Sequence, residues 1–156
     1  MSIQLSNLLP YIHNTKRTST TVKFFAAPTK IVLLDFIGAP DYFITDFGAI
    51  FHRRRIYTNR RGIVSKGYTP EVPLDPYTLF RWSLLDTNSG KMWFPLNQVL
   101  GWAFTPQTDR NMRYFLPKHL GVRPLYVDHY EWSNIPPQVP ADSKYLLFMQ
   151  ELYKTV

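Results

Sequence analysis

The sequence has no cysteine, which excludes disulfides, thiol nucleophiles and thiolate metal sites and is consistent with folding in a reducing cytosol. It also lacks any unbroken apolar run of the roughly 18 residues that a membrane helix needs. Residues 1–11 carry neither the basic start, the apolar stretch nor the small-residue cleavage site of a signal peptide, so neither a membrane span nor export is expected. Acidic residues are the minority, 11 Asp and Glu against 18 Lys and Arg, for a net charge of +7. That balance favours polyanionic partners or acidic protein surfaces, while a merely solvated basic surface is the plainer reading of the same charge.

What is present is bulk. Of 156 residues, 45% are hydrophobic and 16% aromatic, with 11 Phe, 10 Tyr and 4 Trp. This is enough large side chain to offset the entropy of ordering, in a length that suits one domain.

Three parts are expected along the chain. Residues 1–22 form an N-terminal arm, in which 13–22 are polar, β-branched and without apolar periodicity. Residues 23–135 form a basic α+β domain, and 136–156 a proline-rich linker with a C-terminal helix. Within the domain, 23–37 give two short β-runs that Pro28 interrupts. Residues 41–51 give a strand, a turn at Asp46-Phe47-Gly48 and a strand, because Gly48 can supply the positive φ of a tight turn.

Residues 52–67 hold Arg53, Arg54, Arg55, Arg60 and Arg61, followed by Lys66, and such a segment cannot be core. Pro70, Pro73 and Pro76 then rule out a central strand. Two β-runs flank Thr87-Asn88-Ser89-Gly90 as a hairpin. Pro95 opens a short amphipathic helix with Leu96, Val99, Leu100, Ala103 and Phe104 at helical spacing, which Pro106 stops. Arg110, Arg113, Lys118 and Arg123 make a second basic patch, and Leu125-Tyr126-Val127 is a short strand candidate. After Pro136, Pro137 and Pro140, Asp142 or Ser143 caps a helix whose apolar positions include Leu146, Leu147, Met149 and Leu152.

Three stretches, in order, resemble a known pattern. DYFITDFGAIF at 41–51 is similar to the "YEVSNYGRVRS" opening of the NUMOD4 module of HNH-type homing endonucleases. GKMWFPLNQVLGWAFTP at 90–106 resembles its "GK…VHRLVAEAFIP" hairpin and helix, and PLYVDHYEWSN at 124–134 resembles the "VDHIDGNKTNN" start of an HNH motif. The resemblance spans roughly residues 41–134. It implies small antiparallel hairpins with a packed helix, then a ββα-metal-like C-terminal portion. In that portion Asp128 would hold a divalent metal and His129 would be the general base of phosphodiester hydrolysis. The motif is incomplete: Tyr130-Glu131-Trp132-Ser133-Asn134 runs straight into Ile135-Pro136-Pro137, no histidine follows His129, and Leu96-Asn97-Gln98 stands where the family carries a helix histidine.

Asp128 and His129 can equally be a hydrogen-bonded pair that holds a loop. His119 is a possible further ligand that no spacing requires, and His13 and His52 carry no ligand spacing. The arginines fit phosphate, with Tyr57 and Tyr68 as stacking partners, and equally the carboxylates of an acidic protein partner. Trp82, Trp93, Trp102 and Trp132 read mostly as core or interface anchors.

The expectation is a non-catalytic HNH-like structural or binding component of a larger assembly without a cofactor. Its setting would be a bacteriophage virion, capsid or tail, or the host cytoplasm, and its partners other protein subunits in an oligomer. The alternatives are a divalent-metal DNA endonuclease and a non-cleaving nucleic-acid-binding protein.

Overall fold

The computed structural model describes residues 12, 19–24, 27–52, 56–59, 62–65, 71–73, 81–107, 109, 111–118, 127–135 and 143–154. Among these the chain is α+β, as its patterning predicts, with sheets of six, three and two strands and two α-helices. No helix among the described residues is long and apolar enough to cross a membrane.

The largest sheet begins with β1 (Thr20–Phe24) and β2 (Ala27–Leu33), an antiparallel pair in which Thr20 faces Ile31 and Phe24 faces Ala27. Strand pairing therefore starts at Thr20, two residues before the expected end of the N-terminal arm. Pro28 lies inside β2, opposite Lys23, rather than breaking it. It is tolerated because β3 (Tyr42–Thr45) pairs with β2 only over residues 31–33, so the missing N–H removes no ladder bond on that side. Residues 34–37 are a turn of 3₁₀-helix and not the end of a strand, and Gly38 closes it at φ 79°.

The expected strand, turn and strand follow as β3 and β4 (Ile50–His52). Their turn is held by Gly48 N–H to the Thr45 carbonyl (3.0 Å) and by Ala49 N–H to the Thr45 hydroxyl (3.0 Å). Gly48 has φ 81°, a left-handed conformation that a side chain would strain. The hairpin of β5 (Ile56–Asn59) and β6 (Gly62–Ser65) joins the sheet through a parallel contact of β6 with β1, giving the order β4-β3-β2-β1-β6-β5. The β1–β2 and β3–β4 pairs thus share one wider sheet with a hairpin inside 52–67, a segment for which the sequence pattern suggests no strands.

β7 (Glu71–Pro73), β8 (Arg81–Thr87) and β9 (Gly90–Pro95) form the second sheet, in the order β7-β8-β9. Pro73 sits in an edge strand, where proline is permitted. The β8–β9 hairpin turns on Asn88 and Ser89 as expected, with the Thr87 hydroxyl donating to the Gly90 carbonyl at 2.6 Å. Helix α1 (Leu96–Phe104) starts directly after Pro95.

Alternation along β3 and β4 divides the apolar residues. Tyr42, Ile44 and Ile50 enter the main core with Leu85, Phe94, Val99, Leu100 and Phe115, while Phe43, Ala49 and Phe51 form a smaller cluster on the opposite face. Ile12, in the expected N-terminal arm, is buried in the main core. Among the described residues, hydrogen bonds tie the first sheet to the rest: the Tyr42 hydroxyl donates to Asp86 Oδ2 (3.2 Å) and accepts from Asp86 N–H (3.2 Å), Asn88 N–H donates to the Gly38 carbonyl (2.9 Å) and Val127 N–H to the Asp46 carbonyl (3.0 Å).

The C-terminal part contains β10 (Tyr114–Pro117), β11 (Tyr130–Ser133) and α2 (Ser143–Leu152), in the chain order strand, strand, helix. β10 and β11 pair antiparallel, Tyr114 to Ser133 and Pro117 to Tyr130. The proposed strand at 125–127 is a 3₁₀ turn over Val127–His129 where it is described. Helix α2 falls where expected but rotated. Tyr145, Phe148, Met149 and Leu152 are buried, at the spacing of one helix face, whereas Leu147 is 58% exposed. Residues 1–11, 13–18 and 136–142, in the expected arm and linker, lie outside the described residues.

Candidate functional site

Helix α1 is buried on every side from Leu96 to Ala103 and is not the expected amphipathic helix. Its spacing would put Asn97 and Gln98 on a wet face; instead both are enclosed, because β10, β11 and α2 cover that side. Buried amides require partners; three elements supply them to Gln98 and to Asn97 Nδ2, while Asn97 Oδ1 has none among the described residues.

Gln98 Oε1 accepts from Phe115 N–H (2.9 Å), from the Tyr145 hydroxyl (2.7 Å) and from Asn97 Nδ2 (3.4 Å), while Gln98 Nε2 donates to the Arg113 carbonyl (2.9 Å). Asn97 Nδ2 also donates to the Phe115 carbonyl (2.9 Å) and to the Tyr145 oxygen (3.3 Å). Burial pushes the Tyr145 phenol far above the ordinary tyrosine range, against the opposing hydrogen bond from Asn97. The network therefore holds a neutral phenol as a fixed donor.

Below it lies an aromatic stack. The Phe115 ring is stacked on Tyr130 (5.5 Å between centroids) and tilted against Trp132 (4.8 Å), whose indole N–H donates to the Thr105 carbonyl (3.0 Å). Phe115 can lie this close to α1 because residue 101 is glycine: a Cβ there would stand 2.5 Å from Phe115 Cγ. At the far end the Arg113 guanidinium sits 4.5 Å over the Tyr153 ring, and Tyr153 accepts from Gln107 Nε2 (3.2 Å).

Asp128 and His129 occupy the 3₁₀ turn that leads into β11, and both are exposed. The turn is pinned at both ends, by Val127 N–H to the Asp46 carbonyl and by Lys118 N–H to the His129 carbonyl (2.8 Å). Among the described residues no three His, Asp or Glu side chains converge so as to hold a metal ion. His52 is half-buried, with its ring edge-on to Tyr42 (5.0 Å); His13 and His119 lie outside the described residues.

Arg53, Arg54, Arg55, Arg60, Arg61 and Lys66 also lie outside the described residues, as do Arg110, Arg123 and Tyr68. Of the second basic patch, Arg113 and Lys118 are exposed. Trp82 and Trp102 are buried and Trp132 is half-buried, whereas Trp93 is 45% exposed on β9.

The sequence reading missed Asn97, Gln98 and Tyr145 as a unit. The available signal was two adjacent amides inside an otherwise apolar helical stretch. No family model, curated protein or solved structure matches the chain.

Proposed function

We propose that the chain is a non-catalytic, HNH-like binding or structural component of a larger assembly, acting through its charged and aromatic surface, with a bacteriophage particle as the setting that the resemblance suggests. The observation that carries this reading is the use made of Asn97 and Gln98. At the position where the resemblance expects a helix histidine, both side chains are committed to binding α1, β10 and α2 together. Groups held in this way rigidify a scaffold and are not available to a phosphodiester. Asp128 and His129, exposed on a pinned turn, offer half of a ligand set.

The net charge of +7 favours a polyanionic or acidic partner. It also supports the second reading, a protein that holds nucleic acid without cutting it. A plasmid-nicking assay in Mg²⁺ and Mn²⁺, run beside a light-scattering measurement of mass, tests the proposal. The expected result is no nicking above the level of His129→Ala, from a protein that self-associates. Metal-dependent nicking that His129→Ala abolishes would overturn the proposal in favour of an endonuclease. Tight duplex binding that falls steeply with salt, without nicking, would favour the second reading.

A further inference from the structure

The outer edge of β9 ends the second sheet among the described residues. The β8–β9 register, with Thr87 opposite Gly90 across a two-residue turn, makes that pair a hydrogen-bonded one. The alternation then makes Leu85–Met92 and Ser83–Phe94 bonded pairs, and Asp86–Lys91, Leu84–Trp93 and Trp82–Pro95 non-bonded pairs. Two observations agree with this phase: the Asp86 N–H donates to the Tyr42 hydroxyl (3.2 Å) and so points away from β9, and Pro95, which has no N–H, falls in a non-bonded pair. The backbone N–H and C=O of Lys91 and Trp93 therefore face outward from the sheet. No described residue pairs with β9 on that side.

Edge strands commonly carry bulges, prolines or strong charge that block pairing. β9 is unbulged from Gly90 to Pro95, and its outward-facing positions are Lys91, Trp93 and, at the boundary, Pro95. Trp93 is 45% exposed, with half-buried Leu84 beside it on the same face.

We propose that two copies of the chain join edge to edge through β9, antiparallel about a twofold axis at Met92. In this register Lys91 of one copy stands opposite Trp93 of the second. Each such pair exchanges both backbone bonds, and the axis repeats the exchange. The side chains match as well as the backbones, since each Lys91 ammonium lies beside the Trp93 indole of the other copy, a cation–π pairing, and the two Met92 side chains meet on the core side. A register shifted so that Trp93 met Trp93 would instead place Lys91 opposite Pro95, which has no N–H to donate. The contact is isologous and closes on itself, so it yields a dimer and not a fibre. This inference rests on the reading that the chain acts by contact, and it supplies a second copy of the chain as one partner.

The test is light-scattering mass over a concentration series, because a single strand pair lies at the small end of specific interfaces. The wild-type chain should approach twice its monomer mass as concentration rises, with slow amide exchange at Lys91 and Trp93. Trp93→Lys sets like charges opposite each other and should hold the mass at the monomer value. Adding Lys91→Glu to Trp93→Lys restores opposite charge across the axis and should restore the dimer, a rescue that a folding defect would not give. Lys91→Pro, which removes only an outward N–H, should give a monomer with unchanged cooperative unfolding. A wild-type mass that stays monomeric at every concentration, or a dimer that survives Trp93→Lys and Lys91→Pro, would overturn the proposal. So would an edge that takes up an unrelated extended peptide in preference to its own copy. Metal-dependent nicking by a protein that still dimerises through β9 would instead overturn the contact reading alone.

Discussion

The Gln98 amide serves β10 through the Phe115 N–H, the residue before β10 through the Arg113 carbonyl, and α2 through the Tyr145 hydroxyl. Gln98→Leu keeps the volume and strands those groups, so it is expected to cost about 3 kcal/mol, read as a lower urea midpoint at unchanged slope. Tyr145→Phe should cost about 1 kcal/mol at neutral pH for the lost bond to Gln98. Its clearer signature is at alkaline pH. Above the ordinary tyrosine value of 10.0 the unfolded chain loses the phenolic proton while the folded chain keeps it, because burial raises the folded value. The folded state then binds more protons, and stability falls as pH rises past that value. Tyr145→Phe should flatten the fall by about 1.4 kcal/mol per pH unit, measured by denaturant titration across the alkaline range.

Among the elements, α1 and β10 are locked by shape as well as by hydrogen bonds. Gly101→Ala forces the Phe115 ring off the helix and should destabilise by about 2 kcal/mol. Combined with Phe115→Leu it should cost less than the sum of the two single changes, because the smaller side chain relieves the clash. The hairpin β8–β9 was legible in the sequence because its turn carries Asn, Ser and Gly between two apolar runs, and α1 because prolines bound it. β10 was not: Tyr114 to Pro117 is four residues long, ends on a proline and lies among basic residues, so only its pairing with β11 reveals it. The face of α2 was misread because Tyr145 carries a hydroxyl, and Tyr145 turns inward where Gln98 receives that hydroxyl while Leu147 remains in solvent. Asp128 and His129 were legible as residues, but their exposure was not, since it follows from the turn pinned between Asp46 and Lys118.

At the scale of the whole molecule, the main core draws on both halves of the sequence. Val32, Ile44 and Ile50 come from the first sheet and Leu34 from the 3₁₀ turn after β2, and Leu85, Phe94, Val99, Phe115 and Phe148 come from the later elements. Asn88 N–H to the Gly38 carbonyl and the Tyr42 hydroxyl to Asp86 fasten the two halves beside this shared interior. Residues 66–70 lie in chain order between the fastened points, so continuity of the peptide there is not what holds the halves in place. A protease site built into 66–70 and cut should give two bands under denaturing conditions and one particle of intact mass in native chromatography. The pieces, expressed separately, should then behave as complementing fragments, each supplying the apolar wall that the other lacks.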